Sequence, residues 1–356
     1  MKGIKLYVIL ISSLFLMLSI SCSRKIHKNI SSENIIIYPS PPDTTRIQYL
    51  TKISSSLDIT GKRSGFARFL FGELPDMGIV KPYGLAIRDG KIYICDTQMD
   101  ALEVINLEKH NFNYFSPEGM GQLKKPVNCF LDDDNKLYVA DPKRRQIVVF
   151  NSDGSYLASF GEAENAKPTD VFVKDNKIWV ANFTSHSIDV YNKDDYKLLK
   201  RIPDAEPGDK DFLFSPSNIY VTDKYVYVTD FGDFRIKVYT HDGEFVRSVG
   251  SYGKSIGQFV RPKGIAVDRD GHLYVVDAGF ENIQIFDKDG NLLMFFGGPY
   301  KGPGGMWLPA KVVIDYDNLK YFENYVDDSF RLKYLIFVTN QYGPDKVNVY
   351  GYVEPK

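Results

Sequence analysis

Short stretches of alternating apolar and polar residues, separated by turns, run through most of the chain. The clearest unit spans residues 262–297, which contain four such stretches: Gly264–Asp268, His272–Asp277, Ile283–Asp287 and Leu292–Phe296. Alternation with a period of two is typical of a β-strand that buries one face. Asp270-Gly271 and Asp289-Gly290 suit hairpin turns, because glycine accepts a positive φ without steric strain. The unit therefore predicts a four-stranded antiparallel sheet.

The same unit recurs along the chain, and each copy opens on a proline. The opening prolines are Pro82, Pro126, Pro168, Pro216, Pro262 and Pro309. Their spacings are 44, 42, 48, 46 and 47 residues. A period of about 40–50 residues with four strands per unit is the pattern of propeller blades. The sequence thus predicts an all-β fold, a six-bladed β-propeller of four-stranded blades.

The last copy contains only three strand patterns, so blade six needs a strand from elsewhere. In Arg46–Ile53, polar and apolar residues alternate as in a β-strand, and this segment precedes blade one. We predict that this N-terminal strand completes blade six, because such closure removes a free sheet edge. Two irregular segments accompany the blades. Asp317–Arg331 is predicted to form a short helix or an extended hairpin, and residues 64–78 a helical turn and a loop.

The second strand of every blade ends on an aspartate or an asparagine. These residues are Asp96, Asp141, Asn182, Asp230, Asp277 and Asn340. Their side chains suit tight turns because they form hydrogen bonds with nearby backbone groups. A residue type that recurs in all blades is expected to have a structural role rather than a catalytic one.

This repeated order of proline, strands and terminal aspartate or asparagine resembles the NHL repeat, and the resemblance covers residues 82 to about 350. The sequences RIQYL, KPYGLAI and KVNVYGY resemble the opening, the blade-one start and the ending of a class of bacterial lipoproteins with six NHL-type blades. The resemblance implies the six-bladed fold and export. It implies no particular activity, because one fold supports many functions.

The N-terminus has the features of an export signal. Lys2 and Lys5 precede an apolar run from Leu6 to Leu18 that is too short for a spanning helix. The residues before Cys22, LSIS, resemble a bacterial lipobox, although Ser19 replaces the usual aliphatic residue. That resemblance implies cleavage before Cys22 and lipidation of its thiol and amino groups. The alternative is a plain secretory signal with an incidental cysteine.

The expected organisation is therefore a signal peptide over residues 1–21, a lipidated tether over 22–45 and the propeller over 46–356. The tether is polar and contains several prolines, a composition typical of spacers. The basic residues that follow Cys22 do not resemble an acidic surface-export tag. We therefore expect the protein in the cell envelope, lipid-anchored at the periplasmic face of the outer membrane.

Composition narrows the possible partners. The formal net charge is −1, so no basic surplus favours nucleic acid. Aromatic residues make up 14% of the chain, which favours strands.

Cys95 and Cys129 lie inside strand-like runs. Export would permit a disulfide between them, but we expect buried free thiols.

In a propeller, the first strand of each blade lines the central channel. The loops before the opening prolines and the turns after the second strands share one side, the loop face. The residues two places after each opening proline are Gly84, Asn128, Asp170, Asn218, Gly264 and Lys311. We expect Asn128, Asp170 and Asn218 to be neighbours at a polar channel mouth that holds a cation, a sugar hydroxyl or ordered water, or that is only solvated.

The residues directly after the opening prolines bear on an enzyme hypothesis. They are Tyr83, Val127, Thr169, Ser217, Lys263 and Ala310. Propellers that resemble calcium-dependent lactonases carry acidic or amide residues there, whereas none of these is acidic. The five histidines are not expected to converge on one metal. No catalytic residue, metal or cofactor is therefore assigned, while Tyr83 and Lys263 remain binding candidates with Lys311.

The loops before the opening prolines are long and rich in glycine and aromatic residues, among them Trp307. Long loops on a rigid scaffold are frequent binding sites. The sequence thus favours a binding scaffold for an envelope protein, a peptide or a glycan. The alternative is a small-molecule hydrolase or lyase centred on Asn128, Asp170 and Asn218.

Overall fold

The computed structural model describes residues 35–61, 69, 72 and 76–356, and these residues are nearly all β-structure. Blade one comprises β3 (Pro82–Arg88), β4 (Lys91–Asp96), β5 (Leu102–Asn106) and β6 (Asn111–Phe115). Blade two comprises β7 (Asn128–Leu131), β8 (Leu137–Asp141), β9 (Gln146–Phe150) and β10 (Tyr156–Phe160). Blade three comprises β11 (Pro168–Lys174), β12 (Lys177–Asn182), β13 (Ser187–Asn192) and β14 (Leu198–Ile202).

The second half of the ring follows the same plan. Blade four comprises β15 (Pro216–Val221), β16 (Tyr225–Asp230), β17 (Arg235–Thr240) and β18 (Phe245–Val249). Blade five comprises β19 (Pro262–Val267), β20 (Leu273–Asp277), β21 (Asn282–Phe286) and β22 (Leu292–Gly297). Blade six comprises β23 (Pro309–Asp315), β24 (Phe330–Asn340), β25 (Val347–Pro355), β2 (Ile47–Ile53) and β1 (Ile37–Tyr38). The predicted six-bladed propeller is confirmed.

The N-terminal strand closes the ring as predicted. Strand β2 pairs antiparallel with β25, from Ile47 opposite Tyr352 to Ile53 opposite Val347. The pairing begins one residue later than the predicted segment. A further short strand, β1, pairs with β2 and lies within the range that the sequence assigned to the tether.

The first strands of the blades form the innermost ring. Each contacts the first strands of the two neighbouring blades, and β23 contacts β3 to complete the circle. An apolar core layer lies between every pair of adjacent blades; that between blades six and one includes Ile94, Phe337 and Val349. Apolar side chains on facing sheets bury one another there, and this burial stabilises the stack.

Cys95 and Cys129 both lie in the core layer between blades one and two. Both are buried and free, which confirms the sequence prediction. A buried thiol in such surroundings packs as a small apolar group.

Among the described residues, four short helical segments accompany the blades. Helix α1 (Ser56–Thr60) follows β2, and 3₁₀ turns lie at Gly119–Gly121, Leu319–Tyr321 and Glu323–Tyr325. The insert in blade six forms two 3₁₀ turns, which agrees with the predicted short helix rather than with the hairpin. Most of the segment 64–78 lies outside the described residues. Among the described residues, no helix is long and apolar enough to cross a membrane.

Candidate functional site

The aspartate or asparagine that ends each second strand fixes the loop leading into the same blade. Asp277 accepts hydrogen bonds from the backbone N–H groups of Val260 (2.8 Å) and Arg261 (3.0 Å), and from Gly279 (2.7 Å) across the following turn. Asp141 binds the loop of blade two in the same way. The predicted structural role is confirmed. Because the loop backbone is held, side chains next to the opening prolines project from fixed positions.

The centre of the ring is closed by a polar plug formed by Asn128, Asp170, Asn218 and Lys311. Lys311 from blade six reaches Asp170 of blade three, with 2.6 Å between Nζ and Oδ2. Asn128 Nδ2 donates to the carbonyl of Thr169 (2.7 Å) and lies 3.5 Å from Asn218 Oδ1. All four side chains are buried. The plug therefore separates the two ends of the channel.

The sequence placed Asn128, Asp170 and Asn218 at an open channel mouth. The structure brings them together, but as a buried network whose members bind one another. Asp170 accepts hydrogen bonds from the backbone of Ile219 (3.1 Å) as well as from Lys311. Burial raises the pKa of the Asp170 carboxyl. Its oxygens already accept hydrogen bonds from Lys311 and from two backbone N–H groups, and the side chain is buried, so a substrate has no direct access to it.

A cavity of about 530 Å³ opens on the loop face, and we call it the lysine cavity. It is lined by Lys81, Tyr83, Thr97, Lys125, Val127, Pro142, Lys143, Lys167, Thr169, Phe183, Ser217, Phe231, Lys263 and Gln341. Every blade contributes at least one of these residues. Its volume is within the range of small-molecule sites.

The charge of the lysine cavity is one-sided. Five lysines line it, and none of the described lining residues is an aspartate or a glutamate. Three of the ammonium groups lie over aromatic rings. Lys167 Nζ is 4.5 Å from the ring centre of Phe183, Lys81 Nζ is 4.9 Å from that of Tyr342, and Lys263 lies over Tyr83. Clustered cations in a concave surface attract anions, because the surrounding low-dielectric walls concentrate the field. The cavity is thus suited to a negatively charged ligand.

Lys263 is the buried member of this group. Its Nζ donates to Gln341 Oε1 (2.8 Å) and lies 5.4 Å from the ring centre of Tyr83. Burial, reinforced by the charges of Arg261 and Lys81, lowers the pKa of the Lys263 ammonium to about 7. At neutral pH this amine is therefore present in both charged and neutral forms.

The predicted binding residues fall into three groups. Tyr83 and Lys263 line the lysine cavity. Lys311 belongs to the plug, where it is paired with Asp170. Trp307 is half exposed on the loop face but is not among the cavity-lining residues. Cys22, the predicted lipidation site, lies outside the described residues.

Four of the cavity lysines were not identified from the sequence. Lys81, Lys125 and Lys167 each stand immediately before an opening proline, where Arg261 has the same position in blade five. A basic residue at one repeat position in four of six blades is a detectable pattern. It appears only when the blades are aligned, because each lysine alone resembles a solvated loop residue.

A chamber of about 200 Å³, lined mainly by apolar side chains, lies on the other side of the plug. The rings of Phe130 and Phe172 (4.5 Å between centres) and of Phe172 and Tyr220 (5.0 Å) form part of its wall. Lys311 borders the chamber and is engaged by Asp170. The two sides of the plug therefore differ in chemistry: lysines line the cavity on the loop face, whereas mainly apolar side chains line the chamber beyond the plug.

One cluster of the described residues has the composition of a metal site. Asp268, Asp270 and His272 can present ligand atoms within 4.8 Å of one another. The carboxylate of Asp268, however, accepts hydrogen bonds from the backbone of Asp270 and His272 and from the hydroxyl of Tyr334 (3.1 Å). These are the bonds of a tight turn, so the cluster is explained by its structural role.

The fold and the site together define a six-bladed β-propeller with a closed centre and a cationic cavity on its loop face. A family model described as a six-bladed β-propeller (DUF5128) matches residues 208–352. Comparison with curated proteins finds no match.

Solved structures share the fold at low sequence identity. A protein of unknown function from Bacteroides thetaiotaomicron has a TM-score of 0.59 at 16% identity, over 86% of this chain and 76% of that one. A gluconolactonase from Xanthomonas campestris has a TM-score of 0.56 at 15% identity, over 92% and 96%. A catalytically inactive virginiamycin B lyase from Staphylococcus aureus, solved with quinupristin, has a TM-score of 0.53 at 16% identity, over 77% and 95%. At such identities the likeness establishes the fold alone.

Proposed function

We propose that the protein is an exported, lipid-anchored binding scaffold of the cell envelope, and that its lysine cavity receives an acidic segment of a partner. The partner is an envelope protein, a peptide or a glycan that carries several negative charges. The apolar run before Cys22 and the lipobox resemblance support export and anchorage. The cavity supports the choice of an anionic ligand.

The observation that carries the binding proposal is the group of five lysines without a carboxylate. Like charges that converge on one cavity repel one another, so the arrangement is unfavourable until an anion enters. The loops that carry Lys81 and Lys125 are fixed by Asp96 and Asp141, which hydrogen-bond to the backbone of these two lysines. A rigid cationic surface loses little conformational entropy when a ligand binds.

Binding is favoured over catalysis because the residues of the plug are buried and already bonded within the protein. The alternative hydrolase or lyase depends on Asn128, Asp170 and Asn218 as acting groups. Asp170 is paired with Lys311 at 2.6 Å, and all three residues are buried. A binding function needs only the open cavity and its charge.

The binding proposal is tested by titrating the purified full-length protein with hexaglutamate, and with trigalacturonate as the glycan probe. A triple variant, Lys81→Gln with Lys125→Gln and Lys167→Gln, is expected to raise the Kd between about threefold and a hundredfold. This follows because each lost charge pair contributes about 0.2–1 kcal/mol. Calorimetry at about 0.1 M salt, where the Debye length is about 10 Å, measures the change.

The matched control removes three exposed lysines of the opposite face, Lys91→Gln, Lys224→Gln and Lys288→Gln. It changes the net charge by the same amount and is expected to leave the Kd within about twofold, because surface charges farther than a Debye length are screened. Equal affinity of the two triple variants would show that the cavity is not the binding site.

Anchorage is tested separately in cell fractions. The Cys22→Ser variant is expected to move from the membrane fraction to the soluble periplasmic fraction, because acyl chains provide the membrane affinity. Mass spectrometry of the native protein gives the second readout: an N-terminal peptide without acyl chains on Cys22 contradicts lipidation at this residue.

A further inference from the structure

Three lysines are buried in the described part of the chain, and one of them differs from the others. Lys237 lies between Asp230 (3.1 Å) and Asp233 (2.9 Å), and Lys311 pairs with Asp170 (2.6 Å). Lys263 forms no ion pair with any residue that the structure describes. Its polar contact is the neutral side chain of Gln341, at 2.8 Å. A buried cation without a counter-ion is unfavourable, so burial favours loss of the proton from the Lys263 amine.

A neutral lysine amine is a nucleophile, and its position decides what it can react with. The Lys263 side chain lines the lysine cavity and is only 8% exposed, so a reacting group must enter the cavity to meet it. Gln341 Oε1 accepts one N–H of the amine, which leaves the nitrogen lone pair available in the neutral form. Desolvation beside other cations is a known way to activate lysine for attack on carbonyl groups.

The residues around Lys263 determine which other groups a reacting carbonyl compound must carry. Lys81, Lys125 and Lys167 line the same cavity and supply positive charge without a protein carboxylate to neutralise it. A carbonyl compound that also carries a carboxylate or a phosphate satisfies both features, because its anionic group binds these lysines while its carbonyl carbon reaches Lys263. A neutral aldehyde satisfies only one.

We propose that Lys263 forms a reversible imine with an aldehyde or ketone that carries a carboxylate or phosphate group, held by the lysines of the cavity. This inference rests on the proposed anion-binding role of that cavity. The Nζ lone pair forms a bond to the carbonyl carbon, and the carbonyl oxygen takes a proton to give a carbinolamine. Loss of that oxygen as water leaves the carbon–nitrogen double bond. No oxidant or reductant is consumed.

The test treats the full-length protein with pyridoxal 5′-phosphate, an anionic aldehyde, followed by borohydride to reduce the imine. Intact-mass measurement counts the adducts and peptide mapping locates them. Labelling of Lys263 is expected to exceed that of an exposed lysine such as Lys288 by more than about tenfold. The reason is that the neutral fraction of an amine with a pKa near 7 is roughly a thousand times larger at pH 7 than that of ordinary lysine. Neutral pyridoxal is expected to label Lys263 far less.

Two variants make the result specific. Lys263→Arg keeps the positive charge and is expected to abolish the adduct, while Lys288→Arg leaves it unchanged. Pyridoxine 5′-phosphate, which has no carbonyl group, measures anion binding alone by competition. The yield of the Lys263 adduct is expected to rise between pH 6 and pH 8, whereas anion binding is expected to weaken over the same interval.

The outcomes separate the two proposals. An adduct at Lys263 that Lys263→Arg removes supports the imine. Binding of pyridoxine 5′-phosphate without a Lys263 adduct overturns the imine and leaves the anion-binding proposal standing. Labels spread evenly over surface lysines also overturn it. Absence of both binding and adduct contradicts the anion-binding proposal itself.

Discussion

Replacing Gly84 by alanine is expected to lower the free energy of unfolding by about 3 kcal/mol or more. Gly84 lies where β3 of blade one meets β7 of blade two, and its N–H donates to the carbonyl of Val127 (2.8 Å). A Cβ at this position would lie 2.5 Å from the Cα of Asn128 and 2.6 Å from the carbonyl oxygen of Val127. Backbone atoms cannot move aside without separating the two inner strands. Urea unfolding followed by circular dichroism measures the loss.

Gly78, in the segment that precedes blade one, provides the matched control. No atom lies within 4 Å of a Cβ built on it, and its φ is not positive. Gly78→Ala is therefore expected to change the free energy of unfolding by less than about 0.5 kcal/mol. If Gly84→Ala were as stable as Gly78→Ala, the two inner strands would not approach each other as closely as the structure has them.

Replacing Lys311 by methionine is expected to destabilise the protein by about 3–5 kcal/mol, because it leaves the buried carboxylate of Asp170 without its partner. The ion pair spans the centre of the ring at 2.6 Å, and both residues are buried. Two backbone N–H groups, of Val171 and Ile219, would still donate to Asp170, but they do not neutralise its charge. Thermal and urea unfolding at pH 7 measure the effect.

Two further variants define the cause. Adding Asp170→Asn to Lys311→Met removes the stranded charge and is expected to recover about half of the lost stability or more. Lys263→Met removes a buried ammonium that has no carboxylate partner among the described residues. It is expected to leave stability within about 1 kcal/mol of the parent, or to raise it. Equal losses for Lys263→Met and Lys311→Met would contradict the assignment of the charged pair to the plug.

The fold was predictable because its signal is repeated. Every blade presents the same order of proline, first strand, second strand and terminal aspartate or asparagine, so an error in one copy is corrected by the others. The closing strand β2 was predictable for two reasons. The sequence of blade six lacks one strand, and polar and apolar residues alternate along Arg46–Ile53. Strand β1 has only two residues, Ile37 and Tyr38, which is too short for a periodic pattern.

The candidate site was predictable only in part. Repeat position alone indicated that Asn128, Asp170 and Asn218 converge. Whether they surround an open mouth or a closed plug depends on how far Lys311 extends across the ring, and periodicity contains no information on side-chain reach. The charge of the cavity was missed because its lysines lie in separate loops. In sequence, each lysine is explained by the exposure of its loop to solvent. Only the folded structure shows that these lysines are neighbours.

The depressed pKa of Lys263 was likewise beyond sequence reasoning. It arises from burial and from Arg261 and Lys81, which the fold places nearby. Lys237 and Lys311 are buried as well, but each forms an ion pair with an aspartate. Only the arrangement of neighbours distinguishes a lysine that stabilises the fold from one that is available for a ligand.

The central claim is that the lysine cavity on the loop face receives an anionic ligand. A crystal structure of the full-length protein with hexaglutamate bound tests it most directly. The account predicts carboxylates of the ligand between Lys125, Lys167 and Lys263, with the ion pair of Lys311 and Asp170 intact beneath them. A ligand bound on the opposite face, or a cavity that contains only water at a ligand concentration that saturates the protein in solution, would contradict it.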